Sequence, residues 1–289
     1  LAGTGNAYTI VIAAGDATGS TASELTAIDN ATTVVVDATA VTEVTGSNSE
    51  INTLYGSGGV NELGDEIIIV TNDLTVAEAN EIDLLTTGVV TATIVSSESV
   101  ETLKTLTGVN AYNITINTSD ATSTTAEDLN AINALTSDTV NLTNVTALAA
   151  SSLSDLDTLG AAIANNEFSN DTGLTTLAIS DTTIDATALA STIDSYDVIN
   201  GDSTTGMTLA AGATINVDAS EVTEMLADET AGRLTINDQV ITVTGEISAN
   251  DAARLSATTS GLLTATILET TVNDLMALSP DRNALTIRI

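Results

Sequence analysis

Residues able to carry out chemistry are scarce in this chain. It has no histidine, cysteine or tryptophan, which removes imidazole acid–base catalysis, thiolate nucleophiles and the usual zinc ligands. A paired-carboxylate mechanism or a serine activated by lysine remains. With 39 acidic side chains, close carboxylate pairs arise from density alone and signal nothing. The one lysine, Lys104, lies within VETLKTLTG on a predicted helix face, where it reads as solvated surface. The expectation is therefore no enzyme, with no catalytic and no cofactor-binding residue.

Three further sets of residues bear on binding. Asp16 and Asp120 fall at matching places in a strand-to-helix loop. Oxygen-rich loops of this kind favour hard cations such as calcium, while an Asp there also serves as a turn former bonded to its own backbone. Neither an EF-hand nor a glycine-rich nonapeptide is present, so metal ligands stay unknown and calcium or another divalent cation is the only cofactor in view. Thr91 and Thr93, Thr242 and Thr244, and Thr264 and Thr266 form Thr-x-Thr strands. This array resembles the ice-binding face of some β-solenoid antifreeze proteins, but Asn113 and Thr115, Asn141 and Thr143, and Thr176 and Ala178 interrupt it. Sequons at Asn30, Asn113, Asn141 and Asn170 follow from a composition rich in Asn and Thr.

Charge narrows the partners. Five basic against 39 acidic side chains leave a net −34 over 289 residues, yet only 15% of residues are charged against a usual share of about 25%. The excess thus comes from missing cations. Nucleic-acid binding needs cations against phosphate and aromatic platforms for single strands. Here the cations are Lys104, Arg233, Arg254, Arg282 and Arg288, and aromatic residues make up 2%, so neither nucleic acid nor an anionic membrane surface is expected as a partner. No apolar run approaches the roughly 20 residues of a membrane-spanning helix, and no membrane insertion is expected. The start, Leu-Ala-Gly-Thr-Gly, has no initiator Met and no signal-peptide pattern, and reads as a mature product or an excerpt. An apolar share of 43% with one Phe and four Tyr provides a core of small aliphatic groups.

The elements that position these residues are repeated. Residues 6–28 (NAYTIVIAAGDATGSTASELTAI) and 110–132 (NAYNITINTSDATSTTAEDLNAI) agree at 13 of 23 positions, and residues 70–95 agree with 243–268 at 9 of 26. NALTIRI from Asn283 to Ile289 repeats NAYTIVI from Asn6. The spacings imply a unit of about 23 to 26 residues, in the range of stacked repeats. Each unit has two periods. Val90, Ala92 and Ile94 alternate with Thr91 and Thr93, which is strand spacing. Ala22, Leu25 and Ile28, then Ala126, Leu129 and Ile132, and again Ala79 and Ile82, fall on one face of a helix. Thr21 with Glu24, Thr75 with Glu78 and Ser248 with Asp251 have capping-box spacing. Gly88, Gly108, Gly232 and Gly261 sit where a left-handed C-cap is wanted, and Pro280 follows the last helix.

Strand, capped helix and strand at this length close as a parallel crossover, which is overwhelmingly right-handed. The expected fold is an α/β right-handed solenoid of about eleven strand-helix repeats, with one continuous parallel β-sheet and short helices on the other side. Residues 1–289 read as one array, irregular near 38–65, 160–172 and 197–213, forming a rod about 50 Å long. Both ends read as uncapped, since Leu285, Ile287 and Ile289 form an apolar strand at the C-terminus.

The VTATI strand and the T-x-x-E-A/L-x-x-I helix, in a text rich in Thr, Ala and Asp, resemble the repeat regions of giant secreted proteins of marine cyanobacteria and other aquatic bacteria. Those proteins are surface-layer-like or adhesin-like. The resemblance implies an extracellular or cell-surface scaffold and transfers no catalytic residue. The expected function is structural: a building block of a surface layer, sheath or filament whose partners are copies of itself, stacked head to tail. The alternative is an adhesin or phage-fibre module using the Thr-rich sheet face.

Overall fold

The computed structural model describes residues 5–171, 174, 176–200, 206–269, 271–278 and 283–288. The expectations for Pro280 and Ile289, and the centre of the stretch 197–213, lie outside these residues. In chain order the elements are β1 (Ser20–Thr21), α1 (Ala22–Asn30), β2 (Val36–Asp37), β3 (Glu43–Gly46), α2 (Asn48–Ser57), β4 (Val60–Asn61), β5 (Ile67–Val70), α3 (Val76–Asp83), β6 (Val90–Thr93), α4 (Val100–Leu103), β7 (Ala111–Thr115), α5 (Ala126–Asn133), β8 (Val140–Asn141), α6 (Leu153–Ala164), β9 (Phe168–Ser169), β10 (Thr176–Ile179), β11 (Thr183–Asp185), α7 (Ala186–Asn200), β12 (Gly206–Leu209), β13 (Thr214–Asp218), α8 (Val222–Ala231), β14 (Leu234–Thr235), β15 (Val240–Ile247), α9 (Ala249–Thr258), β16 (Leu263–Leu268) and β17 (Ala284–Arg288). The chain is α/β, and all its strand pairs are parallel among the described residues.

Two compact units divide the chain: Leu1–Asp120 with Ala131–Asn144 and Glu167–Ser169, and Ala121–Asn130 with Val145–Asn166 and Asn170–Ile289. The first holds a seven-stranded sheet, β1-β3-β5-β6-β7-β8-β9, and the pair β2-β4. Its partners lie from 20 residues apart, at Thr91 opposite Ala111, to 28, at Val140 opposite Phe168. The second holds the sheets β10-β12-β14 and β11-β13-β15-β16-β17. There the separation runs from 20, at Thr264 opposite Ala284, to 31, at Thr183 opposite Thr214.

Four sheets therefore replace the single continuous sheet expected from the sequence. That expectation allowed one extended segment per repeat. The chain instead turns between neighbouring extended segments, as at Ser180, Asp181 and Thr182 between β10 and β11, and the segments on either side of the turn join different ladders. Many of these strands are two residues long, such as Val36–Asp37 and Leu234–Thr235, too short for a period of two to show.

The core is aliphatic, as composition requires. Val90, Ala92 and Ile94 are buried while Thr91 and Thr93 face out. On the helices Ala22, Leu25, Ala79, Ile82, Ala126, Leu129 and Ile132 are buried, and Ile28 is half-buried.

Helix starts follow the predicted chemistry and extend it. Full capping boxes close at Thr21 with Glu24 and at Thr75 with Glu78. Ser47 with Glu50 adds a third, in a stretch expected to be irregular. At Ser248 the hydroxyl accepts the Asp251 amide at 3.0 Å, but the Asp251 carboxylate binds that hydroxyl and not the Ser248 amide.

The glycines divide. Gly232, with φ 78°, is the left-handed C-cap of α8. Gly108, with φ 70°, lies beyond the Lys104 C-cap of α4 and serves a turn instead. Gly88 and Gly261 correct the C-cap expectation outright. A Cβ on either would overlap the carbonyl oxygen of Glu66 or of Gln239, so close backbone approach requires glycine there.

Candidate functional site

Contacts between successive repeats are built from a small set of buried polar side chains. Thr136 Oγ1 donates to the Tyr112 carbonyl at 2.8 Å and accepts the amides of Tyr112 and Asp138, each at 3.0 Å. Thr32 does the same to Tyr8 and Val34 at 2.7, 3.0 and 3.1 Å. Each hydroxyl thus uses its one donor and both acceptor sites. Thr86 donates to the Glu66 carbonyl at 2.6 Å and accepts the Gly88 amide at 2.9 Å; Thr259 repeats this on Gln239 and Gly261 at 2.5 and 2.9 Å.

Asn110 and Asn283 form a second bracket. Asn110 Oδ1 accepts the Val90 amide at 2.8 Å, and its Nδ2 donates to Asp83 at 2.7 Å and to the Tyr112 hydroxyl at 3.1 Å. Asn283 accepts from Leu263 at 3.2 Å and donates to Ser256 at 2.8 Å. Burial, reinforced by the Asp83 charge, pushes the Tyr112 phenol up to about 12, although the Asn110 hydrogen bond pulls the other way.

A third set of contacts caps helices from the following repeat. The amides of Asn48, Val76, Val100, Ala126 and Leu153 donate to Asn72, Glu98, Asp120, Ser151 and Asp181 at 2.8, 3.1, 3.0, 2.9 and 2.6 Å, and Ala249 donates to Glu269. Carboxylates near helix N-termini are favoured by the free amides and the helix dipole. Asp120, a candidate calcium ligand by sequence, has this role, while Asp16 is exposed. No group of three or more acidic side chains spaced to hold a metal occurs among the described residues. Lys104 pairs with Glu101 at 2.7 Å.

The Thr-rich strands meet only in part. Thr242 lies opposite Thr264, and Thr266 opposite Thr286. A bulge between Thr242 and Glu246, with Gly245 at φ 93°, sets Glu246 and not Thr244 against Thr266, while Thr244 faces Asp218. Of the sequon asparagines, Asn30 and Asn113 are exposed and Asn141 is half-buried; Thr172 of the Asn170 sequon is outside the described residues.

Sequence reasoning missed a cleft between α7 and α8. It has a volume of about 310 Å³, with Leu189, Met225 and Leu234 on its floor and Asp194, Glu221, Glu224 and Asp228 among its walls. Arg233 pairs with Asp197 at 2.7 Å, reaches Asp194 at 3.6 Å and binds Asp228 Oδ1. The Asp197 hydrogen bond above all holds the Arg233 guanidinium charged. Burial raises the Asp228 carboxyl above the usual range against the pull of Arg233. The single arginine among scattered acids offers a faint sequence signal; the spacing of the helices offers none.

No helix among the described residues is long and apolar enough to cross a membrane. Comparison with protein-family models, with curated proteins and with solved structures finds no match.

Proposed function

We propose that the chain is a structural, extracellular repeat protein. Its repeats wind as right-handed solenoid coils within each unit, and stacking continues from copy to copy, head to tail, into a surface layer, sheath or filament. One observation carries the reading. The brackets between repeats recur at matched positions, Thr86 with Thr259 and Asn110 with Asn283, so contacts between neighbouring repeats are duplicated together with the sequence.

Two exposed surfaces have the form that the same contact would cover, from a further repeat of the chain or from another copy. Tyr8 is 40% exposed, whereas Tyr112, its counterpart in the second NAY segment, is fully buried. On the edge strand β17, Leu285 and Ile287 lie in register with buried Ala265 and Ile267, yet Ile287 is 48% exposed. An apolar edge strand with no further strand beside it among the described residues is a template for pairing.

The test is sedimentation and electron microscopy across concentration and salt. Growing linear assemblies are expected, weakened by Ile287→Glu on the edge strand. A strict monomer at high concentration and high salt counts against the proposal. The aligned pairs Thr242–Thr264 and Thr266–Thr286 favour a second reading, an adhesin that binds through this sheet face. Isolated spikes in place of fibres or lattices on the native surface would select it.

A further inference from the structure

One strand is written twice in this chain. NALTIRI at 283–289 repeats NAYTIVI at 6–12 in five of seven positions, and the two segments are held from opposite sides. Residues 284–288 form β17, which pairs with the preceding strand β16 and has no strand after it among the described residues. Residues 6–12 meet the following repeat alone, through the isolated bridges Asn6–Thr32 and Val11–Asp37, and Val11 is 63% exposed. The same strand in full is β7, which has both neighbours: Ala111 lies opposite Thr91, and Ile114 opposite Val140.

The two half-filled junctions match the complete one. Leu263 to Asn283 and Val90 to Asn110 both span 20 residues, and each asparagine holds the amide of the residue named before it. Thr271 accepts the Asp274 amide at 3.3 Å at the start of the helical turn Asp274–Ala277, as Ser99 accepts the Thr102 amide at 3.2 Å at the start of α4. Beyond Ser99, Val100 is 5% exposed and gives its amide to Asp120 of the next repeat. Beyond Thr271, Val272 is 70% exposed, and its amide has no backbone acceptor among the described residues. Asp16, the counterpart of Asp120, is exposed beside a cleft of about 490 Å³ lined by Ile12, Leu25 and Ile28. In the complete junction the matching Ile116, Leu129 and Ile132 are fully buried.

We propose that copies of this chain join by strand exchange: β17 of one copy displaces residues 6–12 of the next, pairs with the segment Thr32–Asp37 there, and brings its own Val272 amide to the Asp16 carboxylate of that copy. A junction built like β6-β7-β8 has room for one such strand, and exchanging near-identical elements returns the contacts it breaks. Charge favours a second copy as the occupant. In the register of the two bridges, Arg288 takes the place of Val11 opposite Asp37, so an opposite-charge cross-strand pair replaces an aliphatic side chain facing water. This inference rests on the head-to-tail reading and names the strand that forms the joint.

The chain has no cysteine, so introduced cysteines report the joint. In the exchanged register Thr286 comes opposite Val35, whereas stacking of β17 on residues 6–12 left in place would bring it to Thr9. Oxidation of Thr286→Cys mixed with Val35→Cys should give an interchain disulfide, and Thr286→Cys mixed with Thr9→Cys should not. Deleting residues 1–12 removes the competing strand and should lower the concentration needed for assembly at least about tenfold, by sedimentation. Asp16→Ala in the whole chain should raise it about fivefold. The cysteine pairs decide the register whether or not the shortened chain folds. A disulfide through Thr9, a folded deletion variant that no longer assembles, or assembly unchanged in Asp16→Ala would overturn the exchange and leave head-to-tail stacking in place. A chain that forms neither disulfide and stays monomeric at high salt would overturn both.

Discussion

Glu66 and Gln239 occupy the same place in two copies of one repeat, yet only one is satisfied. Gln239 donates its amide to the Ala210 carbonyl at 3.0 Å and accepts the Asn237 amide at 2.6 Å. Glu66 takes the amides of Gly64 and Asp65 on Oε2, while its buried Oε1 has no partner. Glu66→Gln replaces the unpartnered Oε1 with an amide donor, the group that Gln239 turns on the Ala210 carbonyl, and removes one negative charge. It should stabilise the fold by about 1 to 2 kcal/mol, read as a higher urea midpoint at unchanged slope. The neighbouring glycines make a stricter prediction. Gly88→Ala and Gly261→Ala force a Cβ into a carbonyl oxygen and should each cost about 2 kcal/mol or more. Gly15→Ala, with open space around the new methyl, should change stability by less than about 0.5 kcal/mol. Equal costs at the three positions would refute close backbone approach as the reason for glycine. At this scale the sequence was legible in pattern and silent in role. It marked Gly88 and Gly261 as meaningful through their duplication, but the carbonyls they touch come from the preceding repeat.

Helix capping was the most legible element-scale feature, because a capping box is local: the spacing from Thr75 to Glu78 contains both partners. Thr125 with Asp128 shows that a shorter acid also closes the box, taking the Thr125 amide at 3.0 Å while Asp128 donates its own amide to the hydroxyl at 3.1 Å. Sheet membership was illegible because it depends on which side of a turn a two-residue segment emerges, and the Thr-rich array failed at the Gly245 bulge, which moves Thr244 out of line with Thr266. The caps also respond to pH. The backbone amide and then the hydroxyl of Thr75 hold the Glu78 carboxyl below its usual range, as those of Ser47 do for Glu50; at Glu24 the Thr21 hydroxyl leads. A depressed acid stabilises the folded state above its unfolded pKa and loses that contribution as pH falls through the folded value. Thr75→Ala should therefore cost about 1 kcal/mol near neutral pH, and the difference from wild type should shrink as pH drops below about 4.5. A cost that stays constant down to about pH 3 would show that Glu78 takes no part in the cap.

For the molecule as a whole, the excess of 34 negative charges acts on stability with the opposite sign to the caps. Each ionised carboxylate that holds a helix amide favours the fold locally, while the sum of them repels itself. Acid cannot separate the two effects, since protonation relieves repulsion and removes caps over the same pH range. Salt can. Screening shortens the reach of repulsion to about 3 Å at 1 M ionic strength from about 30 Å at 0.01 M, but it leaves short, directional bonds such as Asp181 to the Leu153 amide, at 2.6 Å, largely intact. The melting temperature at pH 7 should therefore climb steadily from about 10 mM to about 500 mM sodium chloride. Calcium and magnesium should act alike and more strongly than sodium at equal ionic strength, because higher valence condenses more closely on a dense anionic surface. A specific calcium site gives a different curve: a sharp, saturating rise at low concentration that magnesium does not reproduce. A flat profile with all three salts would mean that the acidic side chains lie too far apart, or are too well paired with amides, for their mutual repulsion to weigh on the fold.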